Sequence, residues 1–403
     1  MRRSVPGRGV ASKTKRSRNR TDCNRRHAAS RRLHAVEFLR AKWRAKVAGG
    51  TKGGEMLRKA LRGVMVLALL FLVFASGRAV KAQDAKPIRI GFSIEAMNGE
   101  RWQTDLESFE ARAKLLGAQV VSSDAHGDDD LQYKQVKDMI QTGIQVLVLL
   151  PHDTAKAGRM VDAAKAANVK VISYDRLVLN SNIDLYVSFD RVEIGKLQAE
   201  FLVKRAPRGN YVLIAGSPND QGAQTLHDAQ MRVLQQYIDR GDIKVIADGY
   251  IQDWVPTQAY LFMLQAIDSS HGDIAAVLAS NDGMAGGAIQ ALREHNLAGK
   301  IPVSGQDADL ASVVCVAEGT QAMTVYKPIA EEAERAAEEA VHLAKGEKVE
   351  TKVALDNGKV KVPTILLKPV LVTRENIKTT VVKDGFQSLK SINQGLSAES
   401  QIN

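Results

Sequence analysis

From residue 88 onward the chain alternates short β-branched runs with stretches in which apolar residues recur every three or four positions. The apolar runs predict strands at 88–94, 118–124, 146–151, 170–175 and 185–190, then a second series at 210–217, 243–250, 275–280, 301–307 and 321–326. Between them the helical period predicts helices at 101–116, 131–142, 155–167, 225–239 and 283–294, and a long helix with acids early and Lys345 late follows Pro328. Near-continuous apolar strands joined by helices point to parallel sheets covered on both faces. Two such series hold too many strands for one sheet of ordinary size, so the pattern predicts an α/β protein of two Rossmann-like, doubly wound lobes. "LDNG" at 355–358 reads as a hairpin turn, and "KVPTILLKPVLVT" after it as a tail that crosses back between the lobes.

Charge changes the picture only once it is located. The net charge of +11 suggests a nucleic-acid binder. Of the 56 Lys and Arg, however, 22 lie in residues 1–82 against three acids, which leaves 34 bases and 42 acids in the remainder. The part that folds is therefore acidic and lacks the positive footprint that phosphate-backbone binding needs. Within the leader, residues 56–82 have a basic start, an apolar run at 64–74 and small residues before Gln83, with Val80 and Ala82 at the −3 and −1 positions of a cleavage site. That is the pattern of a secretory signal peptide, and the run is short for a spanning helix. No Cys follows Ala82, so a lipid anchor is not indicated. Residues 1–55 read as a disordered basic extension or as a start assigned too far upstream of Met56. Cys315 is the one cysteine outside the leader, so the fold relies on its core rather than on an internal disulfide.

Ligands of open α/β sheets bind beyond the carboxyl ends of the strands. The predicted strands deliver charged, amide and indole groups there: Arg101 and Trp102, then Asp175 and Arg176, "SPNDQG", Asp253 and Trp254, Asn281 and Asp282, Gln306 and Asp307, and Lys327. Hydroxyl-rich ligands call for this set, with bidentate charged groups for vicinal hydroxyls and aromatic faces for C–H surfaces. Each position has a plainer reading. Asp220 and Asp282 suit helix N-caps, Arg101 a surface charge, Trp102 a core residue, and Asp175–Arg176 a capping salt bridge. Recurrence of Arg, Trp and Lys at several strand ends is what independent caps do not predict. His126, His152, His227, His271, His295 and His342 are scattered without metal-ligand spacing, so no metal or other cofactor is expected. There is no P-loop pattern in the body either.

The motifs "ERWQTD", "VISYDRLV", "SFDRVEIGKLQA", "GNYVLIAGSPND", "ASNDGMAGGAIQAL", "SGQDADLASV", "GTQAMTVYKPI" and "VVKDGF" resemble the periplasmic D-xylose-binding family of ABC importers, over nearly all of 88–387. The resemblance implies a type I periplasmic binding protein fold with a three-segment hinge, its lobes formed by 86–191 plus 329–363 and by 192–328 plus 364–395. It implies a monomer that captures one pentose, D-xylose first, without chemistry, and passes it to a membrane permease driven by a separate ATPase. The implied sugar contacts are Arg101, Trp102, Asp175, Arg176, Trp254, Asn281, Asp307 and Lys327, with the two indoles as walls. One position departs: Gly222 stands where the family usually places an Asn, which puts specificity among aldopentoses and glucose in question. Two other readings compete. A regulator of the lactose-repressor type would need a helix-turn-helix in the leader, and none is legible. A sugar-processing enzyme would use paired carboxylates such as Asp175 and Asp307, but no nucleophile–base pattern accompanies them.

Overall fold

The computed structural model describes residues 87–98 and 100–402. The readings of 1–55 and 56–82 lie outside the described residues. The first sheet has seven strands in the order β10-β11-β5-β4-β3-β1-β2. These are β1 (Ile88–Ile94), β2 (Ala118–Asp124), β3 (Val146–Leu149), β4 (Lys170–Tyr174), β5 (Leu185–Phe189), β10 (Val353–Asp356) and β11 (Lys361–Leu367). Strands β1–β5 and β11 run parallel, and only the β10–β11 pair is antiparallel. That pair closes through the hairpin turn expected at 355–358, where Gly358 takes a φ of 91°.

The second half builds a parallel sheet in the order β7-β6-β8, from β6 (Gly209–Ala215), β7 (Ile243–Tyr250) and β8 (Ala276–Ala279). β9 (Thr324–Tyr326) pairs antiparallel with β12 (Val370–Val372). The strand expected at 301–307 is not one. It forms only single bridges, Ala298 to Ile301, Val277 to Val303 and Gln306 to Val325, and the backbone turns at Asp307 and Ala308, with φ of 106° and 57°. The run still stitches β8 to β9, so the second sheet continues through it in interrupted form.

Helices cover these sheets: α1 (Glu100–Leu115), α2 (Asp129–Gln141), α3 (Gly158–Ala166), α4 (Arg191–Arg205), α5 (Gln221–Asp239), α6 (Pro256–Ser270), α7 (Asp282–Glu294), α8 (Leu310–Glu318), α9 (Ile329–Ala344) and the short α10 (Leu389–Gln394). Among the described residues the chain passes between the halves three times: between β5 and α4, between β9 and α9, and between β11 and β12. β11 holds its pairing with β5 as far as Leu367, past the boundary expected at 363. Separate apolar layers pack the two faces of the first sheet. One contains Phe92, whose ring meets Phe109 at 4.8 Å and Tyr174 edge-on at 5.3 Å. Another layer lies between α6, α7 and the second sheet, and further apolar residues seat α4 and α5 on its opposite face.

The α4–α5 contact depends on Gly195. A Cβ there would lie 2.4 Å from the Leu226 carbonyl oxygen and 2.9 Å from the Ala229 methyl carbon. Gly195→Ala is therefore expected to destabilise the protein by about 1–3 kcal/mol through overpacking, read as a lower midpoint in urea unfolding with an unchanged slope.

Candidate functional site

The order of the first sheet reverses between β1 and β3, and four of the expected residues, Arg101, Asp175, Asp307 and Lys327, come together at strand ends. Asp175 ends β4 with a φ of 56°, a left-handed conformation that Asp tolerates better than most residues. The turn directs its carbonyl inward, where the Tyr186 hydroxyl donates at 2.9 Å, the Ser188 hydroxyl at 2.8 Å and Arg191 Nη2 at 3.1 Å. Its carboxylate meets Arg191 Nη2 at 2.6 Å, Arg101 Nη1 at 3.0 Å and Lys327 Nζ at 3.8 Å. Burial alone would raise this carboxyl, but Arg101, Arg191 and Lys327 outweigh it and hold Asp175 well below the usual carboxylate range.

Arg101, at the start of α1, spreads its guanidinium over several acids. It bonds Asp105 at 3.2 Å and Glu332 of α9 at 3.1 Å, and its plane lies 4.0 Å over the Trp102 ring. Its free energy of desolvation is offset by Asp105, Asp175 and Glu332, which together raise its pKa well above the ordinary value. Burial in turn pushes Glu332 well up, with Asp175 repelling it further. The second half contributes Asp307, 2.8 Å from Lys327 Nζ and 3.9 Å from Arg101 Nη1. Arg101, Asp175, Asp307 and Lys327 thus form one cluster drawn from both halves.

Arg176 lies beside this cluster. It bonds Glu95 at 3.0 Å, the Pro151 carbonyl at 3.1 Å and, across the halves, Asp220 at 3.2 Å. Asp220 is also the N-cap of α5, its carboxylate accepting from Gly222 N at 2.7 Å. Further contacts join the halves: the Thr154 hydroxyl and backbone N–H both donate to the Asn219 carbonyl at 3.1 Å, Gln221 N donates to the Thr154 hydroxyl at 3.4 Å, and His152 Nε2 lies 3.4 Å from Asp253.

The remaining expected residues are held by local structure. Trp102 is buried in the first half's core. The Trp254 ring lies flat against Gly216, where a Cβ would come within 2.1 Å of it. Its indole N–H is buried without a hydrogen-bond partner among the described residues. Asn281 is the N-cap of α7, its side chain accepting from Met284 N at 3.0 Å. The N-cap reading of Asp282 is corrected here. It is the first helical residue, and its buried carboxylate accepts from Gln321 at 2.8 Å, Thr324 at 2.9 Å and Asp309 N at 3.1 Å. Those bonds fix the loop that presents Asp307. Burial, with Asp309 and Asp307 close by, pushes Asp282 well above its ordinary value.

Residues 90–348 match the family model described as a periplasmic binding protein domain. The chain belongs to the periplasmic binding protein family. This binding protein is 44% identical to the D-xylose-binding periplasmic protein of Haemophilus influenzae, over 81% of this chain and 98% of that one. It is 45% identical to its counterpart in Escherichia coli, over 76% and 92%. Among solved structures it is similar to an ABC transporter solute-binding protein from Clostridium phytofermentans with bound β-D-glucose. That likeness has a TM-score of 0.71 at 27% identity and covers 75% of this chain and 99% of that one. These relatives are binding proteins. Among the described residues no helix of the binding protein is long and apolar enough to cross a membrane.

Sequence reading missed Arg191, Asp105, Glu95 and Glu332 in this site. Arg191 follows β5 as Arg176 follows β4, and that parallel was a usable signal. Asp105 is one helical turn from Arg101. Glu332 lies 231 residues from Arg101, and no local pattern connects the two.

Asp175→Asn is expected to destabilise the binding protein at neutral pH by about 3–5 kcal/mol, because it leaves buried cations unpaired. A carboxyl whose folded pKa is depressed stabilises fully above its unfolded value of about 3.9 and loses that contribution as pH falls toward the folded value. Denaturant titrations of parent and variant should therefore differ by a constant amount from pH 8 to pH 5 and converge below about pH 4.

Proposed function

We propose that this protein captures a single monosaccharide, D-xylose in the first instance, between its two halves and delivers it to a membrane permease served by a separate ATPase. The observation that carries the reading is the meeting of Arg101, Asp175, Asp307 and Lys327 at the strand ends of both halves. Carboxylates accept from sugar hydroxyls, whereas guanidinium and ammonium groups donate to them, so a ring held by all four is bonded to both halves at once. Such a ligand favours the conformation in which the halves meet, because only there are all its bonds made. The permease recognises that conformation. The D-xylose-binding relatives at 44–45% identity support xylose as the sugar. Glucose is the second candidate, supported by the solved relatives with bound glucose at 27–28% identity.

No turnover is part of this reading: the acids near the cleft are engaged by cations or by loop donors, and the ligand leaves unchanged. Trp102, Arg176, Trp254 and Asn281 complete the proposed set of contacts, the indoles facing the sugar's C–H surfaces. The protein acts in the periplasm as a monomer after removal of the leader.

Calorimetric titration with a panel of pentoses and hexoses tests the proposal. D-Xylose is expected to bind with 1:1 stoichiometry, and Lys327→Met and Asp307→Asn each to weaken it by roughly ten- to a hundredfold, the value of a charge-assisted hydrogen bond. Parent-like affinity in both variants refutes the site. Expressed in a host with an export pathway, the protein is expected in the periplasmic fraction with Gln83 as its first residue by N-terminal sequencing; an uncleaved cytosolic chain refutes export.

A further inference from the structure

Arg191 sits at two helix N-termini, where burial opposes its charge and the carboxylates of Asp175 and Asp220 favour it. It is the first residue of α4, and its guanidinium lies against the first turn of α5, where a Cβ on Gly222 would come within 3.4 Å of Nε and 3.7 Å of Cζ. Helix N-termini carry positive partial charge, so the group is on the unfavourable side of two dipoles. It is nonetheless 7% exposed. Nη2 accounts for its bonds to Asp175, at the carboxylate and at the carbonyl. Nε is buried and has no hydrogen-bond partner among the described residues. A guanidinium presents five N–H donors in a fixed fork, and a buried one without an acceptor is costly.

Asp175 therefore explains one edge of this guanidinium and leaves the Nε edge unexplained. We propose that Arg191 is a specificity-determining sugar ligand whose Nε–H donates to one ring hydroxyl, on an edge that a side chain longer than a methyl at 222 would cover. This rests on the sugar-binding reading above and deepens it. Position 222, where the resemblance leads one to expect an amide, contributes no side chain. The donor comes instead from the crossover between β5 and α4, directly beside position 222 and with a full positive charge. Because Arg191 is tied to Asp175, and Asp175 to Arg101 and Lys327, its fork is oriented before sugar arrives. A rigid donor selects among epimers by the position of a single hydroxyl, since an analogue without that hydroxyl leaves the buried N–H unpaired.

The test is a cycle between protein and ligand, using calorimetry of the full chain with D-xylose and its 2-, 3- and 4-deoxy analogues. In the parent, removal of one particular hydroxyl is expected to cost roughly ten- to a hundredfold in affinity through loss of a charged donor's bond. Arg191→Lys keeps a cation for Asp175 but removes the Nε–H, so the penalty at that one hydroxyl is expected to fall to within about threefold while the penalties at the other positions persist. Identical penalties in parent and variant at every position overturn the inference and leave Arg191 as a support for Asp175. Gly222→Asn provides the same comparison if Arg191→Lys does not fold, because a Cβ at 222 already stands in contact with Nε and the amide beyond it occupies that edge without removing the charge; unchanged penalties there overturn the inference equally. If the parent binds neither xylose nor glucose, the sugar-binding reading itself has failed, which is a different result from binding without the cycle.

Discussion

A buried carboxylate at the end of β4 organises this protein. Asp175 has three cations around it, supplied by α1, by the β5–α4 crossover and by the end of β9. Removing an ion from water carries a penalty of several kcal/mol, so such a group persists only when close partners and further hydrogen bonds satisfy it. Here the satisfaction is complete on both sides of the residue, because the left-handed turn that aims the carboxylate at its cations also aims the carbonyl at Tyr186, Ser188 and Arg191. The position of each cation is in turn fixed by other acids: Arg101 by Asp105 and Glu332, Lys327 by Asp307. The result is a preorganised polar cleft in which donors and acceptors are oriented by one another rather than by flexible loops.

That network also ties the fold to its function. Its members come from both sides of the three crossovers, so its geometry exists only when the halves stand in this relation. A hydroxyl-rich ligand is both donor and acceptor, and it can bond to groups of either sign without leaving a charge unpaired. Paired groups of both signs are thus suited to a neutral sugar in a way that a single-sign cleft is not. Asp282 illustrates how far the support extends. It makes no contact with the cations, yet three bonds from its carboxylate hold the loop on which Asp307 stands, and Gly305 is needed because a Cβ there would lie 2.0 Å from Asp282 Oδ1.

Much of this was legible beforehand. The β-branched runs located β1 and β2 at their observed bounds and most other strands to within two residues, because strands buried on both faces leave an unbroken apolar signature. The failure at 301–307 has the same origin in reverse: "IPVSGQD" has the composition of a strand, but the backbone turns at Asp307 where it reaches the cluster. Strand-end position identified Arg101, Asp175, Asp307 and Lys327 before their contacts were known. It could not separate Asp282 from Asn281 as the cap, since both residue types cap helices well and adjacent positions differ only in backbone angle.

The order of apolar and polar residues by itself determined that two parallel, helix-covered sheets form and that their carboxyl ends carry opposite charges and indoles. Those are consequences of period and burial, which act over a few residues at a time. Tertiary structure alone decided which charges meet. Glu332 reaches Arg101 only because α9 returns to pack on α1, and Arg191 meets Gly222 only because α4 packs on α5. Ion pairing depends on distances of a few ångströms between segments far apart in the chain, and no local pattern encodes those distances.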